Sequence, residues 1–584
     1  MAKYTADFET VTWLSDETYV WAFAICEIEN PENIIIGNNI NDFFKWCENT
    51  HNPILYFHNL KFDGEFIIYY LLKNGFTHIK DKKEKQDKTF TTLISDMGMF
   101  YTMEVYFKVG NKKINKVTFI DSLKIIPFSV DDIAKTFGLS IKKLEIDYDK
   151  PREKGHILTK EEKEYIKNDV KIVALALKTM FDSGLDRMTI GSNALNNYKE
   201  IIGSSKFSHY FKELDKRLDY DLRRAYKGGF TYLNPKYKSK DIKSGITLDV
   251  NSLYPSVMYN RPMPFDYPIF YEGKYKEDKV YNLYIQKITC SFKIKKNHIP
   301  TIQIKHGIFK DNEYLTTSEN ELGEEIVTLI LTNVDLKLFL DQYEVEDLTY
   351  VCGWKFKSIT GLFSRYIDYW TNIKIKSTLE NNLGMRTLAK LMLNSLYGKF
   401  ATSLKAKSKY PYLENDIVKY EMGEEEEKKG LYIPIGAFIT SYAREVTIRT
   451  SQAITDYSIK KYNRDLYVYS DTDSISTLLS IDEVKKFCNI DDVKLGYWKH
   501  ENTFDRAKFI RQKTYLKEID GKIHITCSGM PKSCYDFVEW DKFKEGFSCG
   551  GKLRFSHIKG GVKLVPTEFT IKKDAELTKN MKGF

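Results

Sequence analysis

The sequence predicts a multidomain fold of the α+β class. Its 584 residues suggest about four compact units, at roughly 150 residues per domain. Hydrophobic residues make up 42% of the chain and aromatic residues 14%, which is enough to fill several cores and argues against global disorder. Strand-like runs such as 245–250 and 465–476 occur beside long amphipathic patterns such as 159–177 and 386–399, so one chain supplies both sheets and helices.

Composition excludes several classes of protein. The chain has 89 Lys+Arg against 80 Asp+Glu, and this modest basic excess fits a polyanionic partner without requiring one. No two of the eight cysteines form a Cys-x-x-Cys pair, so we expect buried, reduced thiols rather than a zinc ribbon or a disulfide framework. The N-terminus lacks the apolar stretch of a signal peptide, and the longest apolar run, 66–72, is too short to span a bilayer. We therefore expect a protein of the cytoplasm.

The stretch 465–476 organises the C-terminal half. Aromatic and β-branched residues enter and leave a tight polar corner, which predicts a β-hairpin with Asp471 and Asp473 at its bend. Asp249 ends another predicted strand, 245–250. Clustered carboxylates repel one another unless a cation lies between them, and Mg²⁺ prefers carboxylate and phosphate oxygens. We predict that these strands lie side by side and hold two cations for phosphoryl transfer, although the Asp-x-Asp spacing alone is weak evidence.

A second group of acids lies near the N-terminus. Two of them alternate on the first predicted strand and so point to one face. A third follows a short apolar strand, and a fourth lies on a helix that opens with a capping box, four residues after a tyrosine. Four carboxylates and a phenol are typical of a two-metal phosphodiesterase, in which the phenol orients the attacking water. These residues are Asp7, Glu9, Asp63, Asp169 and Tyr165.

A helix with a cationic stripe is predicted over 386–399. Arg386, Lys390 and Asn394 recur every four residues, and Leu388 and Met392 belong to the opposite, buried face. Such a stripe is usually a solvated surface, and composition alone does not assign it a ligand.

The motifs together resemble the family B DNA polymerases, most closely the protein-primed, phi29-like type of small tailed phages. The resemblance rests on Asp7-Phe8-Glu9-Thr10, on 56–64, on 165–169, on Asn394-Ser395-Leu396-Tyr397-Gly398-Lys399 and on Tyr469-Ser470-Asp471-Thr472-Asp473-Ser474. It covers the whole chain, in the order of the family's motifs. It implies an RNase H-like 3′–5′ exonuclease domain joined to a right-hand polymerase domain with two insertions.

The resemblance also implies domain boundaries. They are an exonuclease at 1–190, a first part of the palm at 191–260, an insertion contacting the priming protein and DNA at 261–360, fingers at 361–400, an insertion for strand displacement and processivity at 401–431, the palm with its catalytic hairpin at 432–536, and a thumb at 537–584.

Roles for individual residues follow from the same resemblance. The single-stranded 3′ end would contact Tyr56, Asn59, Phe62, Ser122, Leu123 and Lys143. The incoming nucleotide would contact Tyr254, Lys374, Arg386, Lys390, Asn394 and Tyr397, with Tyr254 excluding a 2′-hydroxyl. Primer-template DNA would contact Tyr226, Gly228, Gly229, Ser252, Thr440, Arg444, Lys513 and Tyr515. The polymerase metals would be held by Asp249, the Val250 carbonyl, Asp471 and Asp473.

We therefore expect a monomeric, processive, strand-displacing DNA polymerase with proofreading, acting in the infected bacterial host. Its cofactors would be two Mg²⁺ per active site, with Mn²⁺ as a substitute. Its partners would be primer-template DNA, a single-stranded 3′ end, dNTPs and a priming terminal protein, with no membrane. The alternatives are a 3′–5′ nuclease whose C-terminal region only binds DNA, a non-catalytic replication scaffold, and an RNA-synthesising variant.

Overall fold

The computed structural model describes residues 1–110, 113–303, 314–319, 323 and 325–573. Mixed sheets and helices in these ranges confirm the α+β class. Part of the predicted insertion at 261–360 and the end of the predicted thumb, 574–584, lie outside the described residues. No described helix combines the length and the apolar character needed to cross a membrane.

The N-terminal region is one large sheet flanked by helices. Its strands are β1 (Lys3–Thr10), β2 (Val20–Glu27), β3 (Ile34–Gly37), β4 (Ile54–Phe57), β5 (Thr77–His78), β6 (Thr89–Ile94), β7 (Phe100–Val109) and β8 (Lys113–Asp121). Its helices are α1 (Ile40–Asn49), α2 (Leu60–Lys73), α3 (Val130–Thr136) and α4 (Lys160–Asp182). The strands lie in the order β3-β2-β1-β4-β8-β7-β6-β5.

Parallel pairing brings the N-terminal acids to one edge of this sheet. β1 runs parallel to β4 with Ala6 opposite Phe57, so the carboxyl end of β1 lies beside the turn that opens α2. α4 crosses β1, and the Thr5 hydroxyl donates to the Val170 carbonyl at 2.7 Å. The acids on β1, α2 and α4 therefore face a common space.

The middle of the chain contains the ranges predicted to be the first insertion and the fingers. The elements before and within the insertion are α5 (Ile190–Ile202), α6 (Ser204–Tyr210), α7 (Lys216–Arg223), β9 (Thr231–Leu233), β10 (Asp241–Val250), α8 (Leu253–Asn260), β11 (Pro262–Glu272), β12 (Leu283–Ile294), β13 (Val327–Thr332), α9 (Asn333–Gln342) and β14 (Tyr343–Thr360). Four of the strands form the sheet β11-β14-β12-β13. The helices α10 (Ser364–Leu379), α11 (Leu383–Ser395) and α12 (Tyr397–Phe400) follow, so the single helix predicted over 386–399 is interrupted at Leu396.

The C-terminal part completes the central sheet. Its elements are β15 (Lys405–Ala406), β16 (Lys409–Glu414), β17 (Ile417–Met422), β18 (Glu426–Glu427), α13 (Ile433–Tyr462), β19 (Tyr467–Asp471), β20 (Ser474–Thr477), α14 (Ile481–Val484), β21 (Trp498–Arg511), β22 (Thr514–Ile519), β23 (Lys522–Cys527), β24 (Ser548–Ile558) and β25 (Gly561–Thr570). The central sheet has the order β23-β22-β21-β10-β20-β19-β9 and places β10 directly beside the predicted hairpin β19–β20. The long helix α13 packs against this hairpin.

The C-terminal hairpin β24–β25 lies against the N-terminal region. Val562 of β25 and Val418 of β17 join the buried cluster formed by the β1–β8 sheet and α2. The Thr18 amide donates to the Lys559 carbonyl at 2.9 Å, and the Lys563 ammonium donates to the Leu14 carbonyl at 2.7 Å. Segments more than 500 residues apart in the sequence thus share one core.

One expectation about the cysteines is wrong. Cys534 and Cys549 form a disulfide with a Cα–Cα distance of 5.9 Å. They lie 15 residues apart and meet because the turn at 532–537 packs on β24. A search for Cys-x-x-Cys pairs does not detect a disulfide formed by such a tertiary contact. The six remaining cysteines are free, and all but Cys352 are buried.

Candidate active sites

The predicted polymerase carboxylates meet at one corner of the central sheet. β10 and β20 pair antiparallel, with Asp249 opposite Ser474. The Val250 amide donates to the Asp473 carbonyl at 2.8 Å, which ties the hairpin turn to the end of β10. The strands that were predicted to lie side by side therefore do so.

Electrostatics at this corner favour a bound cation. Burial, together with the neighbouring carboxylates of Asp473 and Glu501, raises the pKa of Asp249 to about 7. Burial also raises the pKa of Asp473, with a contribution from Asp471. Carboxylates that repel one another in a partly buried corner are stabilised by a divalent cation, and oxygen donors are those that Mg²⁺ prefers. The donor set present thus fits the predicted metal.

The other carboxylate of the hairpin already has a cationic neighbour. Asp471 Oδ1 lies 3.3 Å from Lys513 Nζ and accepts a hydrogen bond from the Thr231 hydroxyl at 3.1 Å. Tyr515 on β22 lies near Tyr469, with ring centroids 5.3 Å apart and ring planes inclined by 58°. The predicted Lys-x-Tyr element thus lies beside the hairpin that carries Asp471.

Cations from two helices converge opposite this corner. Lys374 on α10 has a pKa lowered by burial and by the nearby charges of Lys390 and Arg386 on α11. The charge of Lys390 also lowers the pKa of Asp249, so the cationic cluster and the carboxylates lie within electrostatic reach of each other. Asn394 is exposed on the same helix. A triphosphate would bridge such a cluster to a metal held by the carboxylates.

Two tyrosines of the predicted nucleotide site pack against each other. The rings of Tyr254, on α8, and Tyr397, on α12, have centroids 4.2 Å apart. Ser252 precedes α8 with a left-handed φ of 51°, which turns the chain sharply after Asp249. The predicted sugar filter and base-stacking residue are therefore in contact with each other.

The Tyr226-x-Gly-Gly segment touches the catalytic turn. The Thr472 amide donates to the Phe230 carbonyl at 2.7 Å. A Cβ on Gly229 would lie 2.7 Å from the Thr472 hydroxyl oxygen, whereas one on Gly228 would meet nothing within 4 Å. Of the two glycines, only Gly229 is therefore needed to let the backbone pass close to Thr472.

Arg444 and Thr440 differ from their predicted roles. Arg444 is 4% exposed, forms a salt bridge with Asp335, and donates to the carbonyls of Lys227 and Gly228 at 2.8 and 2.6 Å. Thr440 is also buried, and its hydroxyl donates to helix carbonyls. Both side chains donate their hydrogen bonds to protein acceptors in this structure and do not face a DNA phosphate. Arg444 thereby holds the glycine segment through its carbonyls, whereas the Thr440 hydroxyl is bonded within α13.

The N-terminal acids form a compact second centre. Ligand oxygens of Asp7, Glu9 and Asp169 all lie within 4.8 Å of one another, and within the described ranges no other trio of acidic, His or Cys side chains is as tight. Asp63 is buried beside them and accepts a hydrogen bond from the Phe8 amide at 3.2 Å. The four acids that were predicted to form one site therefore lie together, brought there by β1, α2 and α4.

Crowding of these acids leaves negative charge to be neutralised. Burial and the nearby charge of Asp169 together raise the pKa of Asp7 to about 7. Burial also raises the pKa of Glu9 and Asp63 well above the usual range, and Asp7 adds to both shifts. Asp169 Oδ1 is buried with no hydrogen-bond partner. Such a donor set fits divalent metal ions.

One cation and two phenols border this centre. Lys143 forms a salt bridge with Asp169 and lies 3.5 Å from the Tyr165 hydroxyl. Tyr148, which sequence reasoning missed, shares a hydrogen bond with Tyr165. Its position in an irregular segment carries no periodic signal, so only the tertiary structure reveals it.

A cavity of about 630 Å³ opens onto the acids. Tyr56, Asn59 and Phe62 line it, as predicted for contacts to a single strand. Part of its wall comes from the C-terminal hairpin, through Leu553, Phe555 and Leu564. That contribution was not predicted, because no local sequence pattern indicates that the hairpin packs against the N-terminal region.

Ser122 differs from its predicted role. It is fully buried, donates its hydroxyl to the Phe57 carbonyl at 3.1 Å, and lies 3.0 Å from His58 Nδ1. These contacts fix the strand end that precedes Asn59, so the side chain supports the site instead of facing a DNA strand. Leu123 beside it is partly exposed.

Comparison with known proteins identifies the family. Residues 47–487 match the family described as DNA polymerase type B, organellar and viral. The DNA polymerase of Bacillus phage Nf is 46% identical over 97% of this chain and 99% of its own. Solved structures of phi29 DNA polymerase are 43% identical and cover 98% of this chain and all of theirs, with a TM-score of 0.89 for the complex with primer-template DNA and incoming nucleotide and 0.88 for the complex with single-stranded DNA. The chain therefore belongs to the organellar and viral type B DNA polymerases, and within them to the phi29-like phage enzymes.

Proposed function

We propose that this DNA polymerase extends primers at the Asp249–Asp473 corner and removes mismatched 3′ nucleotides at the Asp7–Asp169 centre. The observation that carries the proposal is the presence of two separate carboxylate centres, one bordered by fingers cations and one opening onto a cavity lined by Tyr56 and Phe62. The first suits a triphosphate, and the second suits a single strand.

At the polymerase centre, each group has a distinct task. Lys374, Arg386 and Lys390 would bind the triphosphate, and Lys513 would hold the primer end beside Asp471. Tyr254 would exclude a 2′-hydroxyl while packed on Tyr397. These contacts would place the primer 3′-hydroxyl in line with the α-phosphorus, and positioning of this kind is a large part of the rate enhancement.

Two Mg²⁺ ions would be held by Asp249, the Val250 carbonyl, Asp471 and Asp473, with Mn²⁺ as a substitute. When bound, such ions lower the pKa of the attacking hydroxyl and stabilise charge on the leaving group. A second pair would be held by Asp7, Glu9, Asp63 and Asp169.

At the exonuclease centre, the protein groups would orient water and the strand. Tyr165, fixed by Tyr148 and Lys143, would direct the attacking water toward the terminal phosphodiester. Tyr56, Asn59 and Phe62 would hold the unpaired 3′ end, since aromatic stacking binds bases without regard to sequence.

The wider context is proposed from the relatives. The chain is a phage protein, and we place its action in the cytoplasm of the infected bacterium. The phi29 complexes contain primer-template DNA, single-stranded DNA and incoming nucleotides, which supports the same partners here. We further propose a priming terminal protein as partner and a monomeric enzyme.

Extension of a primed circular single strand tests the function. With Mg²⁺ and dNTPs, we expect products longer than one circumference, which requires both synthesis and displacement of the strand ahead. The nuclease-only alternative predicts shortening of the primer and no product longer than the primer. The scaffold alternative predicts neither change.

A further inference from the structure

A buried lysine lies behind the polymerase carboxylates. Lys517 on β22 is 6% exposed. Its ammonium donates to the Thr247 hydroxyl on β10 at 2.8 Å and to the Ser476 hydroxyl on β20 at 3.0 Å. Since β21 separates β22 from β10, this one side chain spans four neighbouring strands of the central sheet.

The sheet is built to let Lys517 cross it. Ala507 on β21 is directly opposite Lys517, and cross-strand partners point to the same face. The small alanine leaves room above β21 for the lysine stem to pass. Three aromatic rings surround the ammonium, those of Phe504, Phe509 and Tyr515, with centroids 5.2–5.8 Å away.

The charge of Lys517 has an unusual environment. Among the described residues, no carboxylate forms a salt bridge with the Lys517 ammonium, and the charge of Glu501 acts on it only from a longer distance. Burial lowers the pKa of Lys517 to about 8. A buried ammonium held by two hydroxyls and three rings is costly for folding, so its presence calls for a reason other than stability.

The position of the hydroxyls supplies that reason. Thr247 and Ser476 are a direct cross-strand pair, and the next pair on the same face is Asp249 with Ser474. Two residues along a strand span roughly 7 Å, so the ammonium ties β10 to β20 one step behind the metal-binding carboxylate. Any shift between the two strands would change the separation of Asp249 and Asp473.

We propose that Lys517 is a positioning residue for nucleotide addition, holding β10 and β20 together so that Asp249 and Asp473 present their carboxylates at a fixed separation. The inference rests on the proposed function of this corner. It assigns Lys517 no contact with substrate.

The test compares Lys517→Met with wild type in Mg²⁺-dependent primer extension. Methionine keeps the unbranched stem but removes the charge and the donors. We expect kcat to fall about 10- to 100-fold, as for small misplacements of reacting groups, with little change in the KM for dNTP. Because Mg²⁺ demands near-ideal octahedral geometry, we also expect Mn²⁺ to restore part of the activity. Lys517→Arg keeps the charge and the hydrogen-bond donors, so its kcat should fall less than that of Lys517→Met.

Two controls separate positioning from general damage. Lys508→Met changes a similarly buried lysine on β21 that donates to the Trp540 carbonyl at 2.7 Å, and it should leave kcat within a few-fold of wild type. Degradation of a single strand by Lys517→Met should equal that of wild type, which shows that the variant is folded.

A second pair of changes keeps the proposal falsifiable if Lys517→Met does not fold. Thr247→Val with Ser476→Ala removes both acceptors and should lower kcat for extension by a similar factor, with the same partial rescue by Mn²⁺. Unchanged extension by either Lys517→Met or this double variant would overturn the inference. Failure of the wild-type chain to extend a primer would instead overturn the proposed function itself.

Discussion

At the scale of single residues, the catalytic corner depends on close backbone approach. Thr472 adopts a left-handed φ of 56° at the tip of the hairpin, and Gly229 lies directly against it. The neighbouring Gly228 faces open space. Two adjacent glycines thus have different structural requirements, which a sequence motif does not distinguish.

Gly229→Ala should destabilise the protein, because the added methyl group would clash with Thr472. We expect a loss of roughly 1–3 kcal/mol in the free energy of unfolding, as for overpacked sites. Gly228→Ala is the matched control and should change that free energy by no more than about 0.5 kcal/mol. Denaturant unfolding of the two variants measures the difference, and equal losses would contradict this account.

Tyr254 offers a second prediction at this scale. Its ring packs on Tyr397 in the predicted nucleotide site, where it would meet a 2′-hydroxyl. Tyr254→Val should therefore raise the ratio of ribonucleotide to deoxyribonucleotide incorporation by at least about 10-fold, equivalent to 1.4 kcal/mol. Single-nucleotide extension with rNTP and dNTP measures that ratio. An unchanged ratio would show that another group selects the sugar.

At the scale of elements, α4 carries two residues of the proposed exonuclease centre, and hydrogen bonds fix its first turn. Thr159 and Glu162 form the capping box that the sequence indicates. Glu162 is buried and also accepts hydrogen bonds from Arg152 Nε at 2.7 Å and His156 Nε2 at 2.8 Å. The position of Tyr165 and Asp169, further along the helix, depends on this anchor.

The anchor predicts a pH dependence of stability. Burial tends to raise the pKa of Glu162, but hydrogen bonds from the Thr159 amide, Arg152 and His156 outweigh it and lower the pKa to about 2. A lowered folded-state pKa stabilises the protein above the unfolded pKa near 4.5, and this stabilisation is lost as pH falls from about 4.5 toward 2.

At pH 7, Glu162→Gln should therefore be less stable than wild type by roughly 3 kcal/mol, the free energy of a shift of about two and a half pKa units. The gap should shrink as pH falls below about 4.5. Urea unfolding at a series of pH values measures it. A gap that stays constant down to about pH 3 would contradict the assigned pKa.

The sequence predicts elements better than it predicts contacts between them. The hairpin at Asp471 and Asp473, the strand ending at Asp249 and the capped helix of Asp169 were all predicted, because each has a local periodic or turn signal. The break at Leu396 and the disulfide of Cys534 were not, since both depend on tertiary packing. Arg444 and Ser122 were assigned to DNA because a motif gives residue types without burial.

At the scale of the whole molecule, three distant segments meet at one buried carboxylate. Glu65 on α2 accepts a hydrogen bond from the Tyr420 hydroxyl on β17 at 2.7 Å. His557 Nε2 on β24 lies 3.1 Å from the other carboxylate oxygen, without hydrogen-bond alignment. The N-terminal region, second insertion and C-terminal hairpin are thereby joined.

Glu65→Ala should weaken this junction. It leaves the partly buried Tyr420 hydroxyl without its acceptor, and we expect a loss of roughly 1–3 kcal/mol in the free energy of unfolding. The matched control is Asp416→Asn, at an exposed ion pair with Lys73 between the same two regions, where the loss should not exceed about 1 kcal/mol. We also expect Glu65→Ala to give shorter products on a primed circle than the control does. Equal product lengths would show that the junction is not needed for sustained synthesis.

The central claim is that two carboxylate centres catalyse two reactions in one chain. Its most direct test measures primer extension and single-strand degradation in the same preparations of Asp249→Asn and Asp63→Asn. The account predicts that Asp249→Asn loses extension by at least about 1000-fold, roughly 4 kcal/mol, and keeps degradation, while Asp63→Asn shows the converse. Loss of both activities in either variant, with the fold intact, would contradict two separate centres.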